Sequence, residues 1–130
     1  MSVSVTIVEG PLGPHSVGVG GAYEGAVGAE VVFDGIVRRR EGEADIEALG
    51  YEAYRPMAEN ELARLAQLMI DTHGLIAVDV WHSVGRVPVD AVSFRLVIRS
   101  AHRNEALVAM GEFIDALKVD VPLWKKVGGD

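Results

Sequence analysis

Two lysines in the segment IDALKVDVPLWKK have the residue type and spacing for joint chemistry. Lys118 and Lys125 lie seven positions apart, with Pro122 and Trp124 between them. If both amines converge with other cations, the cluster binds an anion, and the pKa of a lysine falls toward a range useful for proton transfer or nucleophilic attack. A lysine in the last turn of a helix also simply complements the helix dipole, so a structural role stays open.

Three other basic residues are candidates for the same anion site. His102 and Arg103 lie in SAHRNEA, where a strand is expected to end and a helix to begin. Free N–H groups and the helix dipole favour an anion there, and the basic pair adds donors that fit phosphate. Arg38 opens the basic run of VRRR. A plain strand end and a solvated hairpin tip are the alternative interpretations of these two motifs.

Segments rich in β-branched and aromatic residues predict the strands that position these side chains. The predicted strands are Val3–Val8, Ala29–Val37 with a bulge at Gly35, 46–54, 75–83 and 91–100. Arg38–Asp45 is expected to tip a hairpin between the second and third of these strands. The segment 84–90 is expected to be a turn, and the glycine-rich stretch 9–28 a loop. Alternation from Val92 to Arg99 predicts a sheet with one face more buried than the other.

Two amphipathic segments predict helices. The first covers 56–73 and is followed by Gly74, which suits a C-terminal cap. The second covers Arg103–Lys118, with four apolar residues on one face: Leu107, Met110, Ile114 and Leu117. Both helices have the length and pattern of elements that pack one face against a core.

The end of the second helix decides where the later lysine lies. Pro122 prevents the helix from continuing, so Lys125 is expected on an extended segment that Trp124 anchors against the body of the protein. Strands joined by hairpin-like links, two helices, and the absence of a repeat or linker favour one α+β domain over residues 1–130.

Composition and charge exclude several classes of function. The formal net charge of −7 argues against a general nucleic-acid binder, which needs a basic face, so any anion site must be local. The sequence has no cysteine, which excludes disulfides and thiolate chemistry. No apolar run approaches the roughly 20 residues of a membrane span. We therefore expect no membrane association and a cytoplasmic location.

Other catalytic patterns are missing or weak. His15, His73, His82 and His102 show no HxH or HExxH spacing, so no metal is expected. The GVGG of residues 18–21 lacks the GxGxxG spacing of a dinucleotide site, and no cofactor is expected. Glu41 and Glu43 lie in the polar turn, where a solvated role is favoured over acid–base work.

Four motifs resemble, in order and spacing, the catalytic large subunit of molybdopterin synthase. They are GAEVVFDGIVR, YEAYRPMAENEL, SAHRNEA and IDALKVDVPLWKK, and together they span roughly Gly28 to Lys126. The resemblance implies an α+β fold with a hammerhead-like α/β portion, an added antiparallel sheet and two main helices. It also implies a sulfurtransferase, which moves sulfur from the C-terminal Gly-Gly thiocarboxylate of a small ubiquitin-like carrier subunit to cyclic pyranopterin monophosphate. The product carries the dithiolene of molybdopterin.

The resemblance further implies an assembly and a set of residue roles. In the family the large subunit forms a homodimer that takes one carrier at each end, which makes a heterotetramer. Lys118 resembles the central catalytic lysine, and Lys125 its partner in substrate handling. Arg38, His102 and Arg103 resemble the pocket for the phosphate-bearing pterin. A local group of cations in an acidic protein suits a reaction whose two substrates are both anions.

Several positions depart from the family pattern. They are Ser83, Asp90, Ala91, Leu107 and Val127, the last of which stands where an acid usually follows the two basic residues. None of them is a residue assigned to catalysis, but they bear on the dimer contact and on the acids around the site. The alternative interpretation is therefore a non-catalytic relative that binds the carrier or acts as an assembly subunit.

Overall fold

The computed structural model describes residues 2–15 and 22–127, and in these it contains eight strands and two helices. In chain order they are β1 Ser2–Glu9, β2 Ala29–Ile36, β3 Arg40–Glu41, β4 Ala44–Asp45, β5 Ala48–Ala53, α1 Met57–His73, β6 Ala77–Pro88, β7 Val92–Ser100, α2 Arg103–Asp120 and β8 Leu123–Val127. The α+β class predicted from the sequence is confirmed. Part of the predicted loop 9–28 lies outside the described residues.

The main sheet is built around the long strand β6. Its order is β2-β7-β6-β5-β8 with antiparallel neighbours, and β1 pairs with β6 in parallel. The part of β6 from Ala77 to His82 pairs with β7, and the part from Gly85 to Pro88 pairs with β5. The segment 84–90 is therefore mostly strand, and its prediction as a turn was wrong. Ladder hydrogen bonds from β5 override its local turn signals.

The predicted hairpin tip exists, but the strands beside it have other partners. β3 and β4 pair with each other around a two-residue turn in which Gly42 has a φ of +61°. β2 pairs with β7, whereas β5 pairs with β6 and β8, so the predicted pairing across the tip was wrong. β2 already pairs with β7 from Ala29 onward, and the predicted bulge is confirmed as a register shift between Gly35 and Ile36. Beyond it, Val37 bonds to Ala91, and the chain leaves the β2 ladder before the tip.

Strand β7 is buried on both faces, because its arginines are paired. Every residue from Ser93 to Ser100 is buried. The Arg95 guanidinium donates hydrogen bonds of 2.6 and 3.1 Å to the Asp34 carboxylate. Arg99 donates to Glu30 at 2.8 Å and to Asp79 at 2.6 Å. The expectation of one face more exposed than the other was wrong, since carboxylates on the neighbouring strands allow these charges to be buried.

Helices α1 and α2 pack against each other and against the sheet, with the main core between them. Gly74 caps α1 as predicted, in the left-handed conformation, and its N–H bonds to the Ile70 carbonyl at 2.9 Å. The buried face of α2 consists of Ala106, Ala109, Met110 and Phe113. Leu107 is 53% exposed, so its predicted place on that face was wrong. Within the described residues, neither helix has both the length and the apolar composition needed to cross a lipid bilayer.

Candidate active site

A cavity of about 730 Å³ lies where the end of α2 meets β8, β5 and β2. Lys118, Lys125 and Arg38 all line it, as does the acidic residue Glu41. Three of the five predicted site residues thus share one cavity. The clustering gives a locally cationic wall in a chain whose formal net charge is −7, which suits an anionic ligand.

The two lysines reach this cavity because α2 stops between them. Lys118 lies in the last turn of the helix, and Val121 leaves it with φ −93° and ψ 130°. Pro122, which has no N–H to extend the helix, precedes β8. Strand β8 then pairs with β5 in a register that sets Lys125 opposite Tyr51. The prediction of an extended segment after a proline stop is confirmed.

Trp124 does not anchor this segment as expected. Its side chain is 53% exposed and contributes to the lining of the cavity. The segment is held instead by backbone pairing along β5, from Leu49 opposite Val127 to Ala53 opposite Leu123. The sequence prediction failed because tryptophan usually buries its large apolar surface, whereas here the strand ladder already fixes the chain.

Glu41 forms an ion pair with one of the lysines, and sequence reasoning missed it. Its Oε1 atom lies 2.6 Å from Lys125 Nζ, and the side chains of the glutamate and the lysine are 22% and 56% exposed. The sequence analysis assigned Glu41 to a solvated turn. No local pattern distinguishes it from Glu43, since only the pairing of β3 with β4 directs it to the cavity.

A buried histidine and a tyrosine form another part of the cavity lining. His82 is 6% exposed, and its Nδ1 lies 2.7 Å from the Ser83 carbonyl oxygen, to which a protonated Nδ1 donates. Burial lowers the pKa of His82, and the bond to the Ser83 carbonyl acts in the opposite direction. The Tyr51 ring meets the imidazole edge-on at 5.3 Å, and the Tyr51 hydroxyl donates to Ser93 at 3.0 Å. The site therefore includes a buried imidazole, which the sequence analysis did not assign to it.

His102 and Arg103 lie in a different part of the folded protein from the two lysines. They line a second cavity of about 620 Å³ at the start of α2, together with Gly28, Ala101 and Asn104. Neither residue lines the cavity that contains the lysines. The Glu105 carboxylate accepts a hydrogen bond from the His102 backbone N–H at 3.3 Å and so caps the helix. Within one chain, the predicted site is thus divided between two cavities.

Gly28, which lines this second cavity, lies close against the chain before α2. A Cβ at Gly28 would collide with the carbonyl oxygen of Ala101. The residue before β2 and the residues before α2 therefore lie so close together that only glycine fits at position 28. The N–H of Gly28 bonds to the Ser100 carbonyl at 3.0 Å.

The residues that depart from the family pattern lie in different environments. Ser83 is fully buried, and its hydroxyl donates to the Gly10 carbonyl at 2.6 Å. Asp90 takes a φ of +73° in the turn before β7. The side chain of Val127 lies outside the described part of the chain. Among the described residues, no group of three or more His, Asp or Glu side chains is arranged to hold a metal ion.

The sequence matches the family model described as "MoaE protein" over residues 13–120. The molybdopterin synthase catalytic subunit of Bos taurus is 40% identical over 76% of this chain and 52% of its own length. A crystal structure of molybdopterin synthase from Staphylococcus aureus superposes with a TM-score of 0.79 at 31% identity, covering 95% of this chain and 90% of that one.

A second solved structure is a complex of subunits 1 and 2 of molybdopterin-converting factor from Helicobacter pylori. It matches with a TM-score of 0.74 at 26% identity, over 95% of this chain and 83% of that one. The chain spans about half the length of the mammalian relatives it matches. The family model covers most of the sequence, and the chain belongs to the MoaE protein family.

Proposed function

We propose that this protein is the catalytic subunit of a molybdopterin synthase. In this proposal it is a sulfurtransferase that moves sulfur from the C-terminal thiocarboxylate of a small ubiquitin-like carrier to cyclic pyranopterin monophosphate, in the cytoplasm. The observation that carries it is the convergence of Lys118, Lys125 and Arg38 on one cavity. The names of the similar proteins agree with this activity.

The geometry supports specific roles for the three cations. A carrier tail that ends in a thiocarboxylate brings a negative charge and a carbonyl, and an ammonium group beside that carbonyl polarises it. Lys118 and Lys125 are in the same cavity and are assigned to this step, while Arg38 provides a fork of donors that suits a phosphate. As the C–S bond of the carrier breaks, a C–S bond forms on the pterin side chain in place of a C–O bond. The acyl carbon of the carrier takes an oxygen from water, and the carrier is released as a carboxylate.

We further propose that a second copy of the chain completes the site. His102 and Arg103 lie in a separate cavity at the start of α2, where N–H groups and the helix dipole favour an anion. A homodimer that sets this cavity against the lysine cavity of its partner would supply both residues to the pterin phosphate. With one carrier on each protomer the assembly is a heterotetramer, in line with the two-subunit complex among the similar structures.

Reconstitution tests the proposal. Purified protein is mixed with thiocarboxylated carrier and cyclic pyranopterin monophosphate, and molybdopterin formation is assayed beside an active synthase from another source. We expect product in both reactions. Carrier binding without product, while the reference enzyme is active, would instead establish the non-catalytic alternative.

A further inference from the structure

One carboxylate faces the cationic wall of the lysine cavity. Glu41 Oε1 lies 2.6 Å from Lys125 Nζ, and the Glu41 side chain is only 22% exposed. The other acid in the lining, Asp34, is held by Arg95 through two hydrogen bonds and is thereby neutralised. Glu41 is therefore the acid of the described lining that pairs with a candidate catalytic residue.

The fold holds this carboxylate in place. Glu41 belongs to β3, which pairs with β4 around Gly42, and the base of the hairpin is closed by a 2.8 Å bond from Ile46 N–H to the Arg39 carbonyl. Val37 and Ile46, on the two sides of the hairpin, are buried in a small cluster with Leu49 and Val87. The hairpin is thus attached at its base by apolar packing, and the position of Glu41 follows from it.

An anion that binds Lys125 must compete with Glu41. The Lys125 ammonium group has three N–H donors and can bind more than one acceptor. A second negative charge placed beside the Glu41 carboxylate is nevertheless repelled by that carboxylate. This repulsion weakens as salt is added. The remaining cations of the lining, Arg38 and Lys118, keep the cavity attractive to an anion that displaces the carboxylate.

We propose that Glu41 is a positioning residue that occupies Lys125 in the empty site and is displaced when an anionic group arrives. The ion pair keeps the long lysine side chain at the cavity instead of extended into solvent. Because the Glu41 carboxylate competes with an incoming anion for the same ammonium group, removal of its charge should raise the affinity of the cavity for anions. The identity of the natural anion, a thiocarboxylate or a phosphate, rests on the proposed function, but the competition itself does not.

The test uses inorganic phosphate as the probe and needs neither carrier nor pterin. The chain has three lysines, so the Cε–Hε signals of an isotopically labelled sample can be followed by NMR during a phosphate titration, and Lys125→Ala identifies the signal of interest. At low ionic strength we expect Glu41→Gln to bind phosphate about two- to fivefold more tightly than wild type, a range set by the usual strength of exposed ion pairs.

Two further variants separate charge from structure. Glu43→Gln removes the same charge from an exposed position in the turn of the same hairpin and should bind phosphate less tightly than Glu41→Gln. Glu41→Asp keeps the charge and should retain wild-type affinity. The difference between Glu41→Gln and wild type should shrink as sodium chloride is added.

Equal affinities for the two glutamine variants, or weaker binding by Glu41→Gln, would overturn the competition. The outcome is independent of turnover. If reconstitution yields no molybdopterin but Glu41→Gln binds phosphate more tightly, the proposed function fails and the role of Glu41 stands. If turnover occurs and the affinities do not differ, only the role of Glu41 fails.

Discussion

Lys118 and Lys125 line one cavity, although the first lies in the last turn of α2 and the second on strand β8. The short connection through Val121 and Pro122 turns the chain from helix to strand between them. Two different elements thus bring two amines to one cavity. Under the proposed function both lysines act at the thiocarboxylate of the carrier, and this role leads to a direct test.

Lys118→Ala is expected to lower the rate of molybdopterin formation about 100-fold or more, since the loss of one preorganised donor to a developing charge has effects of that size. Binding of the carrier, measured by calorimetry, should change little, because binding depends on a surface much larger than one side chain. The rate should be measured in a single turnover so that product release does not mask the effect.

Arg64→Ala is the matched control for this prediction. Arg64 lies on α1 outside the lining of the lysine cavity, and its side chain is 52% exposed. It pairs with Glu61 at 3.0 Å and with Asp120, at the end of α2, at 3.9 Å. The Arg64→Ala substitution removes one positive charge, as Lys118→Ala does, and should leave the rate of molybdopterin formation close to that of wild type. Near-normal activity of Lys118→Ala would remove Lys118 from the mechanism.

Phe113 and Leu107 on α2 should differ sharply in their contribution to stability. Phe113 is fully buried in the main core, whereas Leu107 is 53% exposed. Phe113→Ala is expected to lower the free energy of unfolding by about 3–5 kcal/mol, because it leaves a cavity. Leu107→Ala should change it by no more than about 0.5 kcal/mol. Urea denaturation measures both, and similar losses would mean that the helix faces the core through the predicted stripe instead.

The sequence predicted the local structure around the site better than the contacts across it. Proline and glycine act on their own backbone, so the stop at Pro122, the cap at Gly74 and the bulge at Gly35 were all predicted correctly. The partner of β2 was not predicted correctly, because β2 pairs with β7, whose residues are more than 50 positions away in the sequence. Local signals specify where elements end, while the sheet order is decided by long-range pairing.

The candidate site shows the same division. The positions of the lysines followed from the helix pattern and the motifs, whereas the roles of Glu41 and His82 depend on contacts between distant segments. Glu41 meets Lys125 across 84 positions of sequence, and His82 meets Tyr51 across 31. A glutamate in a polar turn and a histidine in a strand carry no sign of such contacts. The separation of His102 from the lysines likewise becomes visible only in the folded chain.

His82 should make the stability of the protein depend on pH. Burial lowers its pKa in the folded state, while the unfolded chain titrates near the ordinary value of about 6.5. Between these two values the unfolded state binds more protons, so the free energy of unfolding falls as the pH is lowered through about 6.5. The stabilisation from the neutral imidazole is fully present above that pH, and one proton gives a slope of at most about 1.4 kcal/mol per pH unit.

The groups that surround the imidazole favour this direction. Tyr51 and Phe94, from β5 and β7, face it with their rings at 5.3 and 5.8 Å and offer no negative charge. Arg38, Lys118 and Lys125 line the same cavity, and its two acids are paired with other cations, Glu41 with Lys125 and Asp34 with Arg95. Protonation of His82 in the folded protein is therefore disfavoured by burial, and the hydrogen bond to the Ser83 carbonyl only partly offsets this effect.

Urea denaturation of wild type and His82→Gln between pH 5 and 8 tests this prediction. The variant loses the buried ring and is expected to be less stable at pH 8, but its stability should depend less on pH between 7 and 5 than that of wild type. The comparison uses the two slopes, so an overall loss of stability in the variant does not affect it. Identical slopes would show that His82 does not titrate differently in the folded and unfolded states, and the acid sensitivity of the fold would then have to arise from other groups.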